Sequence, residues 1–147
     1  MLFLCTGNSC RSQMAEGWAR HLRSHVLDAW SAGTSPHGMN PLAIRAMAEA
    51  GVDISGHHSK TVEELRDIRF DYVITVCDSA HQSCPLFHGD SPQTPRIIHV
   101  GFEDPPRLAQ GAATPEMAMP HYRRVRDQIR AFVETLPESL TAHPTGV

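Results

Sequence analysis

Eight consecutive residues, Cys5-Thr6-Gly7-Asn8-Ser9-Cys10-Arg11-Ser12, carry the means to grip an oxyanion and to attack it. A short loop between an apolar strand and a helix start gathers backbone N–H groups around one point, and the helix dipole adds partial positive charge there. Arg11 adds a permanent cation whose fork fits two oxyanion oxygens. Thr6, Gly7, Asn8, Ser9, Cys10 and Arg11 are therefore the expected oxyanion-binding residues. Cys5, at the mouth of the cradle, is the expected nucleophile, because the same positive field favours thiolate over thiol. Ser12 is placed to donate a hydrogen bond to its sulfur. Gly7 and Asn8 suit the left-handed backbone that such a loop needs. The competing reading is a buried structural cysteine with a surface arginine. The strand–loop–helix context weighs against it.

Two further cysteines, Cys77 and Cys84, stand seven positions apart in a polar segment. With His81 and His88 they spell Cys-x3-His-x2-Cys-x3-His, which invites a zinc reading. Zinc sites draw their ligands from separate knuckles or helices rather than one unbroken stretch, so no metal is expected here. Two buried apolar cysteines fit the polar residues between them poorly. A redox pair is the sharper reading, since two thiols can bridge once their Cα atoms come within roughly 4.4–6.8 Å. A Cys77 thiolate could also attack a sulfur on Cys5.

The elements that must position these groups follow from pattern. Residues 2–4 form a short apolar strand, and the helix after the loop places Met14, Ala15, Trp18, Ala19 and Leu22 on one face. Glu16 on that helix reads as a solvated carboxylate. Residues 26–32 read as a second strand. Asn40 caps a helix with Pro41 in its first position, and Gly51 lies just past its end. Leu42, Ala46, Met47 and Ala50 form its inner face. His57 and His58 read as surface histidines, and a short helix is expected over 61–65. Residues 70–76 read as a strand whose apolar core, Tyr72-Val73-Ile74-Thr75-Val76, suits burial on both faces, residues 96–100 form the next, and the last helix is expected over 122–136. Residues 137–147 read as a loose tail.

Strands alternating with helices predict an α/β fold: a doubly wound, four-stranded parallel sheet with helices on both faces, flavodoxin-like, in a single domain over 1–147. Ligands of such sheets bind beyond the carboxyl ends of the strands. Cys5 ends one strand, Cys77 another, and Asp104 lies just past a third. Three separate segments thus deliver reactive groups to one sheet edge. The chain of 147 residues carries a net charge of −3, which gives no footprint for nucleic acid. No apolar run approaches a membrane span, and no signal peptide is visible. A cytoplasmic monomer is the expectation, and its four cysteines are then chemical rather than structural.

Along nearly its whole length the chain resembles the thioredoxin-coupled arsenate reductases, relatives of the low-molecular-weight tyrosine phosphatases. The matching stretches are Leu4 through Gly17, Ser31-Ala32-Gly33, Asp53-Ile54-Ser55, Val76-Cys77-Asp78 with Cys84 following, and Phe102-Glu103-Asp104-Pro105-Pro106. The phosphatases share the first stretch and the Asp-Pro but lack the Cys77/Cys84 pair. They follow Asp-Pro with an aromatic residue that grips a phenyl ring, where this chain has Pro106. The resemblance implies a three-thiol relay. Cys5 attacks arsenate, and Asp104 gives a proton to the departing hydroxide. Cys77 then attacks Cys5 and expels arsenite, and Cys84 moves the disulfide to Cys77–Cys84 for thioredoxin to reduce. Cys10 has no step to perform and is read as a small packed residue. Weak phosphatase activity is a corollary of the shared loop, and a low-molecular-weight phosphatase is the alternative. Some family members bind potassium behind the loop through groups matching Asn8, Glu16 and Ser31 with a Thr and an Asp. The last two appear here as His58 and Lys60. A Lys60 ammonium paired with Glu16 would stand in for the ion, so no cofactor beyond the redox-active disulfide is expected.

Overall fold

A computed structural model describes residues 1–77 and 95–141. Its centre is strand β1, Leu2–Cys5, buried at every position. β2, Trp30–Gly33, lies on one side of it and β3, Tyr72–Thr75, on the other. β4, Arg96–His99, lies outside β3, giving the order β2-β1-β3-β4. All pairs are parallel, with Cys5 opposite Gly33 and Leu4 opposite Thr75. The predicted four-stranded doubly wound sheet is what forms. The chain leaves β1 toward β2 and later resumes on its other flank at β3. That reversal makes the carboxyl end of β1 the switch point where open parallel sheets take ligands. The Cys5 loop starts there.

Helix α1, Arg11–Leu22, packs on β1 and β2 through Met14, Ala15, Trp18 and Ala19, all buried as their spacing predicts. Burying a large apolar side chain of this kind contributes about 1.5–3 kcal/mol, so the helix following the loop is firmly held. Trp18 also donates through Nε1 to the Arg126 carbonyl at 3.2 Å. Helix α2, Pro41–Glu49, is capped by Asn40, whose Oδ1 accepts from the backbone of Leu42 and Ala43 at 2.9 and 3.2 Å. Gly51 beyond it has φ 86°, the left-handed conformation expected after a helix end. A 3-10 turn covers Glu63–Leu65. Helix α3, Pro105–Leu108, follows Asp104, and α4, Pro115–Val133, packs against α1, α2 and α3.

Three boundaries differ from expectation. β2 begins at Trp30 rather than at 26, because the amides of Val26 and Leu27 both close back on the Arg23 carbonyl at 3.0 Å. Val26 is left 45% exposed in that turn. α4 begins seven residues before Tyr122, since Thr114 caps it through Oγ1 to the Met117 amide at 3.2 Å and Pro115 takes the first position. Pro120 lies inside this helix. The start of the expected tail is tied down instead. Residues Glu138–Thr141 form α5, Leu140 is buried, and Arg23 donates to the Leu136 carbonyl at 2.6 Å and to both Glu138 carboxylate oxygens.

Candidate active site

The cradle is built by a second segment that clasps the loop from outside. The amides of Thr34, Ser35, His37 and Asn40 donate to the carbonyls of Cys5, Thr6, Gly7 and Ser9 at 3.3, 2.8, 2.9 and 3.0 Å. In a trans peptide the carbonyl and the N–H point opposite ways. Drawing these four carbonyls outward therefore turns the N–H groups of Thr6, Gly7, Asn8 and Cys10 away from the clasp. Thr6, Gly7 and Cys10 line an open cavity of about 440 Å³ with Cys5, Arg11, Cys77 and Asp104, His37 at one side and Pro106 and Arg107 on α3, whereas Asn8 is fully buried behind it.

Asn8 is the pin behind the loop. It is fully buried and takes the positive φ of 47°. Its Oδ1 accepts from the Lys60 amide at 2.8 Å and from Gln13 Nε2 at 3.0 Å, and its Nδ2 donates to Ser12 Oγ at 2.9 Å. Ser12 Oγ in turn donates to Cys5 Sγ at 3.3 Å, the predicted contact. Gly7 does not adopt the left-handed conformation expected of it. It is small for a different reason: a Cβ there would stand 2.8 Å from Nδ1 of His37, which packs against the loop. Gly33 is required in the same way. A Cβ on it would lie 2.6 Å from the Thr6 carbonyl oxygen.

Arg11 sits at the rim with its side chain 14% exposed. It donates through Nη1 to the Phe102 carbonyl at 3.0 Å, and its Nη2 lies 3.6 Å from Asp104 Oδ1. Two of its five N–H groups are thereby directed to the 102–104 turn, which fixes the fork while leaving donors for an anion. Asp104 stands just before α3 with its carboxyl group 37% exposed. It is thus able to exchange protons with water and to reach the cavity.

The second thiol is in place. Cys77 lies two residues past β3, is 5% exposed, and has its sulfur 3.3 Å from Thr6 Oγ1. It is also within hydrogen-bonding reach of Cys5. That neighbour corrects the expectation of a ready thiolate. A hydrogen bond from the Cys5 thiol to Cys77, and then burial, push the Cys5 thiol well above its ordinary range, outweighing the Ser12 hydroxyl. Cys10 is buried beneath the loop and its thiol is also pushed up, by desolvation first and Asp104 second. It is the small packed residue expected.

The predicted groups thus meet in one place, with a division of labour. Thr6, Gly7, Ser9, Cys10 and Arg11 line the cavity with Cys5, Cys77 and Asp104. Asn8 and Ser12 act from behind as positioning groups. Cys84, His81 and His88 lie outside the described residues. The Thr6–Cys77 contact and the roles of Gln13, His37 and Arg107 escaped the sequence, since only the fold brings residue 77 to residue 6.

Glu16 departs most from expectation. It is 3% exposed rather than solvated, because it turns into the floor behind the loop. There Ser31 Oγ donates to its Oε1 at 2.7 Å, Arg20 Nε lies 3.1 Å from Oε2, and Lys60 Nζ lies 3.8 Å from Oε1. His57, expected at the surface, is partly buried, with Nδ1 3.0 Å from Gln13 Oε1 and 3.4 Å from Glu16. His58 is exposed. Burial lowers the pKa of both His57 and Lys60 against the pull of Glu16.

With this geometry in hand, known proteins can be compared. A family model described as low molecular weight phosphotyrosine protein phosphatase matches residues 1–144. The arsenate reductase of Bacillus subtilis (strain 168) is 44% identical over 137 residues, covering 90% of this chain and 94% of the relative. That of Halalkalibacterium halodurans is 42% identical over 137 residues, covering 93% and 94%. A solved structure described as an arsenate reductase in the phosphate binding state superposes with a TM-score of 0.71 at 32% identity, covering 94% of this chain and 95% of that one.

Proposed function

Since the chain belongs to the low molecular weight phosphotyrosine protein phosphatase family, we propose that it is an arsenate reductase working through Cys5, Cys77 and Cys84 in turn and recharged by thioredoxin. The observation that carries this reading is Cys77, buried against Thr6 and within hydrogen-bonding reach of Cys5. Hydrolysis of a phosphate ester has no use for a second thiol there. Reduction of arsenic needs one.

In this reading arsenate enters the cradle, where loop N–H groups and Arg11 hold its oxygens. Cys5 gives up its proton and its sulfur attacks arsenic. Asp104, protonated, supplies the proton with which hydroxide leaves as water. A Cys77 thiolate then attacks the Cys5 sulfur. The S–S bond forms, the S–As bond breaks, and its electron pair stays on arsenic, which leaves as arsenite. Thr6 Oγ1, 3.3 Å from the Cys77 sulfur, can donate to that thiolate and steady its charge. Cys84 next attacks Cys77 and releases Cys5 as thiolate. The Cys77–Cys84 disulfide is the one offered to the dithiol of thioredoxin.

Lys60 and Glu16 serve the loop from behind, the ammonium in the place of a metal cation, so potassium is not needed. Phosphatase activity is the minor reading. Cys5, Arg11, Ser12 and Asp104 suffice for slow ester hydrolysis, and Pro106 at the cavity offers no aromatic face for a phenyl ring. The test is arsenite release with and without thioredoxin and its reductase. Multiple turnovers are expected only with the donor system, and none from Cys5→Ser. Turnover limited to aryl phosphate, with no arsenite formed, would overturn the reductase reading.

A further inference from the structure

We propose that Arg107 is a specificity-determining residue of this site, a second guanidinium that captures doubly charged oxyanions before they settle in the loop. The proposal rests on the arsenate reductase reading and deepens it. Asp104, the N-cap residue of α3, and Arg107 within it stand three positions apart, and both line the cavity. The other cavity arginine is already engaged. Arg11 gives Nη1 to the Phe102 carbonyl and directs Nη2 at Asp104. Arg107 differs from most arginines of the chain. Arg23, Arg45, Arg123, Arg124 and Arg130 each sit on a carboxylate. Among the described residues no carboxylate or carbonyl accepts from the Arg107 side chain, which stands exposed at the mouth.

Charge decides why the site needs it. The substrate is a mixture of monoanion and dianion at neutral pH, and the dianion predominates above it. The α1 dipole supplies roughly half a positive charge at the loop, and Arg11 a whole one. While Asp104 is ionised it cancels most of Arg11. The chain as a whole repels anions, at −3. An exposed guanidinium at the mouth both draws the dianion in against that field and offers it a paired N–H fork. Such a group acts on capture more than on the chemical step, so its signature is a binding constant.

The experiment titrates inorganic phosphate, an inert oxyanion, into wild type, Arg107→Gln and Arg107→Lys by calorimetry at a pH where phosphate is dianionic. The Gln variant should bind phosphate about two- to fivefold more weakly, the scale of one exposed charge pair, and Lys should recover most of the loss. In parallel, KM for arsenate should rise by the same factor in the Gln variant, with kcat lowered less than twofold. Increasing salt should erase the difference. Phosphate binding needs no reduction, so it reports on Arg107 even if arsenate turnover fails. Unchanged phosphate affinity in the Gln variant overturns the proposal. So does a raised KM for thioredoxin with unchanged KM for arsenate, which would assign Arg107 to donor docking.

Discussion

Replacing Gly33 by alanine should damage the oxyanion loop from a position that touches no substrate. Gly33 ends β2 opposite Cys5, and its amide donates to the Lys60 carbonyl at 2.7 Å. A Cβ there would stand 2.6 Å from the Thr6 carbonyl oxygen, 2.9 Å from Asn8 Cβ and 3.0 Å from the Asn8 amide. Two of these three neighbours are backbone, which cannot swing aside, so the loop itself must shift. Overpacking of this kind costs about 1–3 kcal/mol. Displacing Thr6 also strains the 2.8 Å bond from the Ser35 amide, a further ~0.5–1.5 kcal/mol if it breaks. A loss of about 2–4 kcal/mol is expected, which for a chain of this size lowers Tm by roughly 5–12 °C. Gly56 has open space around it and an ordinary φ, so Gly56→Ala is the control and should be neutral or slightly stabilising. Urea unfolding of both variants, with phosphate binding measured on the folded protein, is the assay. Phosphate affinity should fall in Gly33→Ala beyond any fraction unfolded. A Gly33→Ala protein within ~0.5 kcal/mol of wild type, binding phosphate normally, would refute the claim that this contact shapes the cradle.

Three further outcomes are expected. Asp104→Asn should slow the first chemical step by ~10²–10⁴-fold with the fold intact, and unchanged single-turnover arsenite formation would remove Asp104 from the mechanism. Because the hydrogen bond that the Cys5 thiol donates to Cys77 is the largest influence raising the Cys5 pKa, Cys77→Ala should lower it. Thiolate forms as pH rises through the pKa, so the pH profile of Cys5 alkylation should move to lower pH in the variant; a profile that stays put or moves upward would contradict the pairing. Exchanging sodium for potassium at constant ionic strength should change turnover less than twofold, with the Lys60 ammonium 3.8 Å from Glu16, whereas a several-fold activation would show that the ammonium does not replace the ion.

The fold was largely legible because hydrophobic patterning and turn residues agree with one another. The buried run before Cys5, the Asn40-Pro41 helix start and Gly51 each dictate a local structure that packing then accepts. Element ends were less legible. Val26 is apolar, yet it lies in a turn, because hydrogen bonds to Arg23 decide that backbone. That Cys5, Cys77 and Asp104 come to one cavity was legible from residue type and strand position. Their electrostatics were not. That Cys5 faces a second thiol, and that Glu16 turns inward to Ser31, Lys60 and Arg20, depends on contacts between segments distant in sequence. Gly7 shows a right residue with the wrong reason: its smallness admits His37, while Asn8 alone takes the left-handed turn.

The order of the thiols is the heart of the proposed mechanism, and one measurement reads it directly. Cys84→Ser protein, fully reduced, is given one equivalent of arsenate, quenched with an alkylating agent and mapped by mass spectrometry. One equivalent of arsenite and a Cys5–Cys77 disulfide are predicted, with Cys10 alkylated or unmodified as a free thiol and no second turnover when thioredoxin is added. Continued turnover of this variant with thioredoxin, or arsenite released with Cys5 and Cys77 both still reduced, would contradict the relay.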